Sequence, residues 1–247
     1  MKAMVLAAGF GTRLRPLTDN MPKPLLPVGG RPMIEYTLLL LKKYGITEII
    51  INLHHCGDQI IKTLGNGTRL GLSISYSDEQ GEPLGTGGGL KKAEAFFEGA
   101  PFLVINGDII IDINLEKLIS FHREKRGLAT LVLRACDDFS NFGAIEIDEN
   151  NRIQNIIGEL DINNKQTRKL MFTGLHIIEA QVLNKIPANV PYTSIINTYL
   201  DLLRAEKKLF AYETKNYWND LGQLDRYKEV DHALNTGALK LGHLPAN

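Results

Sequence analysis

An unbroken apolar run, Ala3-Met-Val-Leu-Ala-Ala8, ends directly in Gly9-Phe-Gly11, and this junction restricts the available folds more than any other stretch of the chain. Such a run suits a strand covered on both faces, the usual condition of a parallel sheet flanked by helices. The two glycines after it let the backbone approach a ligand closely and turn amide N–H groups inward. Arg13, Arg15 and Lys23 then bring three cations to the same region. Taken alone, the loop reads either as a tight turn with solvated arginines or as a cradle for a polyphosphate. Close backbone approach with clustered positive charge is what a polyphosphate requires.

Two common phosphate loops do not match. A dinucleotide-binding loop needs a third glycine where this chain has Leu14, and an acidic residue ending the second strand where it has Asn52-Leu-His-His55. No Gly-Lys-Ser/Thr follows the glycines, so the Walker A pattern is absent as well. The formal net charge is zero over 247 residues, which argues against a dedicated nucleic-acid or anionic-membrane binder and makes any phosphate site a local concentration of cation. No apolar stretch approaches the roughly 20 residues of a membrane span. Reading the amino terminus as a signal peptide would consume the loop itself. Cys56 and Cys136 have no metal-ligand spacing, and reduced thiols in a cytoplasmic protein are the expectation.

Apolar runs at 3–8, 47–53, 72–77 and 102–106 alternate with helical patterns at about 31–44, 57–64 and 87–98. Alternation of this kind predicts βαβ crossovers and a mainly parallel sheet. After a helix near 115–126 the segments 128–134, 142–147, 152–157 and 170–178 are strand-like and closer together, with turn residues such as Asp148-Glu-Asn-Asn151 between them. They predict antiparallel strands extending the sheet. Helices at about 194–207 and 223–235 flank a strand near 208–214. The expected fold is α/β, Rossmann-like, with three α/β/α layers around a mixed, mainly parallel sheet. The expected organisation is a single domain over 1–247, with one half at about 1–110 and the other at about 111–230. No hexapeptide repeat occurs, so no carboxy-terminal β-helix is expected.

Several other elements carry candidate chemistry. Asp108 closes Phe102-Leu-Val-Ile-Asn-Gly-Asp108 at the carboxyl end of a buried strand, the edge where doubly wound sheets bind ligands. A helix-capping carboxylate is the alternative there. Gln80-Gly-Glu-Pro-Leu-Gly-Thr-Gly-Gly-Gly89 opens an amphipathic helix and, alone, reads equally as a flexible connection. Phe142-Gly143 and Thr173-Gly174 read in isolation as bulge or turn glycines. His54 and His55 sit beside Asp58, but neighbouring residues on a strand point to opposite faces, which disfavours joint metal ligation and leaves a structural or pocket-lining role.

The stretch Leu6-Ala-Ala-Gly-Phe-Gly-Thr-Arg-Leu-Arg-Pro-Leu-Thr18, followed by Pro22-Lys-Pro-Leu25 and Pro27-Val28, closely resembles the sugar-1-phosphate nucleotidylyltransferases. Further matches recur to residue 222. The resemblance implies an enzyme that makes an NDP-sugar and pyrophosphate from a nucleoside triphosphate and a sugar 1-phosphate. It implies catalytic roles for Arg13, on the β/γ phosphates, and Lys23, between the α-phosphate and the sugar phosphate. Nucleotide contacts are implied for Leu6, Ala8, Gly9, Gly11, Thr12, Gln80, Gly85 and Thr86, and sugar contacts for Asn106, Gly143, Glu159, Thr173 and Gly174. Tyr217-Trp-Asn-Asp-Leu-Gly222 resembles the family's Trp-x-Asp-x-Gly element, so Asp108 and Asp220 are implied as ligands of Mg²⁺. Short uridylyl- and guanylyltransferases are the forms it most resembles, which implies UTP or GTP and leaves a homo-oligomer open. A catalytically silent NDP-sugar-binding subunit on the same fold is the alternative. One departure stands out: relatives carry Glu-Lys-Pro after the strand near 157, and this chain has Gly158-Glu-Leu-Asp161. Sugar selection is therefore expected to be looser, unless Lys165 or Arg168 supplies the missing cation.

Overall fold

A computed structural model describes residues 1–140, 143–161, 166–188, 190 and 192–244. In chain order the elements are β1 (Ala3–Leu6), β2 (Pro27–Val28), β3 (Arg31–Pro32), α1 (Met33–Lys43), β4 (Glu48–Leu53), α2 (Gly57–Leu64), β5 (Ser73–Asp78) and α3 (Gly85–Lys92). They continue with β6 (Phe102–Asn106), β7 (Ile109–Ile111), α4 (Leu115–Lys125), β8 (Ala129–Arg134), β9 (Ile145–Ile147), β10 (Ile153–Ile156) and β11 (Arg168–Ile178). The last are α5 (Ile195–Arg204), β12 (Leu209–Glu213), β13 (Trp218–Asp220) and α6 (Leu224–Asn235). The chain divides into two compact units, one formed by 1–83, 105–113 and 216–247, the other by 84–104 and 114–215.

In the first unit β1, β4 and β5 pair in parallel, in register Ala3 with Ile49 and Ile49 with Ile74. Ala3, Met4 and Val5 are fully buried, as are Ile49 and Ile51, which is why these strands read as unbroken apolar runs. The first strand is shorter than the apolar run that announces it. It stops at Leu6 because the Ala7 amide leaves the ladder to donate to the Asn52 side chain at 2.8 Å. Helix α1 starts at Met33, two residues after the expected point, because Arg31 and Pro32 pair with Val28 and Pro27 instead. Glu35 in its first turn and Lys42 and Lys43 in its last suit the helix dipole. A cluster of Leu14, Leu26, Val28, Met33, Tyr36, Ile110, Leu221, Val230 and Leu241 forms the core beside which the functional loops lie.

The second unit is largely antiparallel. Strand β11 pairs antiparallel with β9 over 168–170 and with β8 over 171–178, β9 pairs with β10, and β12 joins β8 in parallel. Asn114 caps α4 by accepting from the Lys117 amide, and Ser194 caps α5 by accepting from that of Ile196. The helix expected over 87–98 is α3, which ends at Lys92, followed by a 3₁₀ turn over Glu94–Phe97; the break falls at Ala93. Of the stretch 142–147 expected as a strand, only Ile145–Ile147 is one; residues 143 and 144 precede it as irregular backbone, and Phe142 lies outside the described residues. Parallel strands, antiparallel strands and flanking helices together give the mixed Rossmann-like α/β fold that the alternation predicted.

Candidate active site

The glycine loop after β1 is shaped by two local devices. Gly11 has φ +66°, and a Cβ there would come within 3.0 Å of Thr18 Cγ2 and 3.1 Å of Lys23 Cβ, so both backbone angle and space demand glycine. Thr18, buried, donates its hydroxyl hydrogen to the Gly11 carbonyl at 2.9 Å and closes the loop. Beyond it, Thr12–Leu14 form one 3₁₀ turn, with Leu14 driven into the core and Arg13 left exposed. A second 3₁₀ turn, Lys23–Leu25, has Pro24 within its first positions. Proline fixes φ there, so the Lys23 stem leaves a stiff segment.

Lys23 is only 7% exposed and its ammonium lies where two carboxylates converge. Its Nζ is 2.5 Å from Asp108 Oδ2 and 3.9 Å from Asp220 Oδ1. What unites residues so distant in sequence is a ribbon of two short strands. Strands β7 and β13 pair antiparallel with Asp220 opposite Ile109, and the Leu221 amide donates to the Asp108 carbonyl at 3.1 Å. Ile110 and Leu221 in the core anchor the ribbon from beneath. The Gly222 amide donates to Asp220 Oδ1 at 2.7 Å. A side chain at Gly222 would meet that oxygen at 2.8 Å and Arg13 Nη2 at 3.0 Å, which places the Arg13 guanidinium against the same turn. Arg15 does not join this group; it pairs with Asp19 at 3.3 Å on the surface.

Burial raises the pKa of the Asp220 carboxyl, and the like charge of Asp108 adds to the effect, while Lys23 and Arg13 oppose it. Two adjacent carboxylates that one ammonium does not fully compensate form an oxygen donor set suited to a hard cation such as Mg²⁺. Among the described residues no group of three or more His, Cys, Asp or Glu could hold an ion.

Behind the loop lies a relay that sequence reading missed. Asn52 accepts from the buried Ala7 amide on its Oδ1 at 2.8 Å and donates from Nδ2 to Glu79 Oε1 at 2.6 Å. Asn52 is 3% exposed and Glu79 2%. The relay ties the mouths of β1, β4 and β5 together. Asn52 stood at the position where a dinucleotide site would carry an acid, but nothing in the sequence pointed to Glu79 as its partner. Leu6, Ala8, Gly9, Gly11 and Thr12 line this same loop, and a Cβ on Gly9 would meet nothing within 4 Å. Asn106 ends β6 beside Gly107, whose amide donates to the Leu6 carbonyl. Gln80 follows β5 with an exposed side chain.

The remaining predicted residues belong to the second unit. Gly85 has φ +73°, and a Cβ would strike the Thr193 carbonyl at 2.7 Å and the Tyr192 ring at 3.0 Å, so tight packing within the unit already requires glycine. Thr86 Oγ1 accepts from the Ile195 amide at 2.9 Å, and the Gly87 amide donates to the Thr193 carbonyl. Thr173 is buried and donates its hydroxyl hydrogen to the Val132 carbonyl, which takes that hydrogen away from any ligand. Gly143 and Gly174 both have positive φ, as turn or bulge glycines do, and Glu159 is exposed. Arg168 is held by Glu213 at 2.7 Å, and Lys165 lies outside the described residues.

Comparison with known proteins identifies the family. The family model described as nucleotidyl transferase matches residues 2–237. A UTP–glucose-1-phosphate uridylyltransferase of Synechocystis is 31% identical, covering 99% of this chain and 66% of its own length. A mannose-1-phosphate guanyltransferase of Kluyveromyces lactis is 35% identical, covering 90% of this chain and 62% of its own. The chain thus spans just under two thirds of the length of these curated relatives. Among solved structures, a Bacillus anthracis protein described as a glucose-1-phosphate thymidylyltransferase superposes with a TM-score of 0.83 at 27% identity, covering 98% of this chain and 97% of that one. HddC from Yersinia pseudotuberculosis, solved with GMP-PN, superposes with a TM-score of 0.76 at 26% identity, over 94% and 98% of the two chains. With its glycine loop, its buried lysine and its paired carboxylates, this chain belongs to the nucleotidyl transferase family.

Proposed function

We propose that the protein transfers a nucleotidyl group from a nucleoside triphosphate, UTP or GTP, to a sugar 1-phosphate and releases pyrophosphate. The observation that carries this reading is the Lys23 ammonium set between Asp108 and Asp220 next to a glycine loop bearing Arg13. A phosphate monoester with a second pKa of about 6 is largely dianionic near neutrality. Its oxygen can attack the α-phosphorus without a general base, as the bond from that phosphorus to the β-phosphate oxygen breaks and pyrophosphate leaves. The chemical difficulty is then anion repulsion and charge on the leaving group. Arg13 neutralises the β/γ phosphates, and the amides of the glycine loop cradle the triphosphate. Lys23 stands between the α-phosphate and the incoming sugar phosphate.

Asp108 and Asp220 would hold Mg²⁺, which supplies charge neutralisation to phosphate oxygens when bound. Gln80, Gly85 and Thr86 serve the nucleoside in this reading, and Asn106, Gly143, Glu159, Thr173 and Gly174 the sugar, with roles for Thr173 and Gly85 that run through backbone. The first part of the chain is read as the nucleotide half and the later part as the sugar half. Arg168 is engaged by Glu213 and Lys165 lies outside the described residues; in this reading the missing Lys of the Glu-Lys-Pro element loosens sugar selection, and more than one sugar 1-phosphate is accepted. The test is a matrix of four nucleoside triphosphates against several sugar 1-phosphates with Mg²⁺, followed by pyrophosphate release. Release that requires both substrates supports the reading. Nucleotide binding with no release for any pair removes it.

A further inference from the structure

His54 is the first residue after β4 and has no part in the chemistry assigned above. Its Nε2 lies 2.8 Å from the Gly81 carbonyl. A carbonyl oxygen only accepts, so the ring hydrogen sits on Nε2 and Nδ1 is left as the acceptor. That Nδ1 is sealed from solvent and has no hydrogen-bond partner among the described residues. Buried polar atoms are ordinarily satisfied, and each exception calls for an explanation. The other contact of the ring is with the glycine loop. Phe10, between the two glycines of the loop and 45% exposed, meets the His54 ring edge to face with centroids 5.0 Å apart. His54 therefore touches the glycine loop on one side and the turn after Gln80 on the other. An aliphatic residue could pack on Phe10 but could not hold Gly81.

We propose that His54 is a positioning residue for the nucleoside triphosphate: it ties the Gln80-Gly81 turn to the glycine loop and so fixes the spacing of the two segments that receive the nucleotide. It acts through Gln80 and the loop, without reaching the reacting phosphates. This inference rests on the reading of the chain as a nucleotidylyltransferase, and the experiment separates the two. Wild type, His54→Leu, His54→Ala and His54→Gln are titrated with UTP and GTP in the presence of Mg²⁺ and without sugar phosphate, then compared in steady-state kinetics. Glutamine carries an amide N–H that can stand near the Nε2 position.

The leucine and alanine variants are expected to weaken nucleotide binding about 3- to 10-fold, the weight of one neutral hydrogen bond. The KM for the triphosphate rises equally, while kcat and the KM for the sugar phosphate stay within about 2-fold and the glutamine variant recovers most of the loss. Binding that is unchanged in both truncated variants overturns the proposal. So does a loss spread equally over kcat and both KM values, or one that glutamine does not rescue. Wild type that binds neither triphosphate overturns the functional reading and this inference together, whereas wild-type binding with indifferent variants overturns His54 alone.

Discussion

Replacing Asn52 with alanine tests the relay that holds the glycine loop. Two buried hydrogen bonds vanish: Ala7 N–H to Oδ1 at 2.8 Å, and Nδ2–H to Glu79 Oε1 at 2.6 Å. The Ala7 amide is left without its acceptor in a buried setting, at about 1–3 kcal/mol, and the bond to a carboxylate contributes about 1.5–3 kcal/mol. Glu79 keeps its other interactions, so the whole loss is placed at about 3–5 kcal/mol. Against a total stability of roughly 5–15 kcal/mol this is large. At about 2–4 °C per kcal/mol for a chain of this size, the melting temperature falls by about 6–20 °C. Asn52→Asp adds a sharper control. Its carboxylate still accepts from Ala7 but faces Glu79 where the amide donated, so the variant regains stability on acidification as the two oxygens come to share a proton. Asn52→Ala adds no second carboxylate, so its recovery is smaller. Denaturant titrations at pH 7 and pH 5 read both effects. A loss below about 1 kcal/mol for Asn52→Ala, or identical pH responses of the two variants, would refute the relay.

Three further expectations are checked by similar means. Asp108→Asn and Asp220→Asn each weaken the Mg²⁺ dependence of turnover, and the double variant loses less than the product of the single losses, because residues acting on one ion form a unit; multiplicative losses count against a shared ion. His176 is buried, shares a hydrogen bond of 2.6 Å between its Nδ1 and the Tyr199 hydroxyl, and has its pKa lowered by burial to about 3. Its unfolded form takes up a proton below about pH 6.5 while the folded form does not, so stability is fully present above that value and is lost on acidification, by about 2 kcal/mol between pH 7 and pH 5. His176→Asn should flatten that part of the stability profile, and an unaltered profile contradicts the assignment. Gly85→Ala should destabilise by about 2 kcal/mol or more, since it combines positive φ with a collision against the Thr193 carbonyl at 2.7 Å; a neutral effect in thermal melting would show that the turn relaxes freely.

The parts of this fold that sequence revealed are those with long apolar runs or clear helical periodicity. Strands β4, β5, β6 and β8 and helices α2, α4 and α6 lie within a residue or two of their expected limits, because burial on both faces or one leaves a repeated pattern. The ribbon of β7 and β13 left none. Each strand is three residues long, too short for any period, and their pairing depends on contacts between positions far apart in the chain. That ribbon decides where Asp220 sits, so the pairing of the two carboxylates entered through family resemblance and was not readable from spacing. Lys23 was legible as a cation near the loop, but its burial between two acids was not. Arg15 shows the opposite failure: its position suggested the phosphate site, and a neighbouring Asp19 took it to the surface. Thr173 and Gly85 carried the right motifs, yet packing within their own unit already accounts for both.

The rate of pyrophosphate release by Lys23→Ala tests the central claim most directly. Lys23 is the one cation within 4 Å of both carboxylates among the described ion pairs, at 2.5 and 3.9 Å. Removing a fixed charge that acts on the transition state costs about 3–4 kcal/mol, which corresponds to a fall in kcat of about 10²-fold or more. That fall is expected in a protein that still folds, with nucleotide binding largely kept. Near-normal turnover in a variant with unchanged melting would contradict it, and Lys23 would then be a structural counter-ion to Asp108 and Asp220 and nothing more.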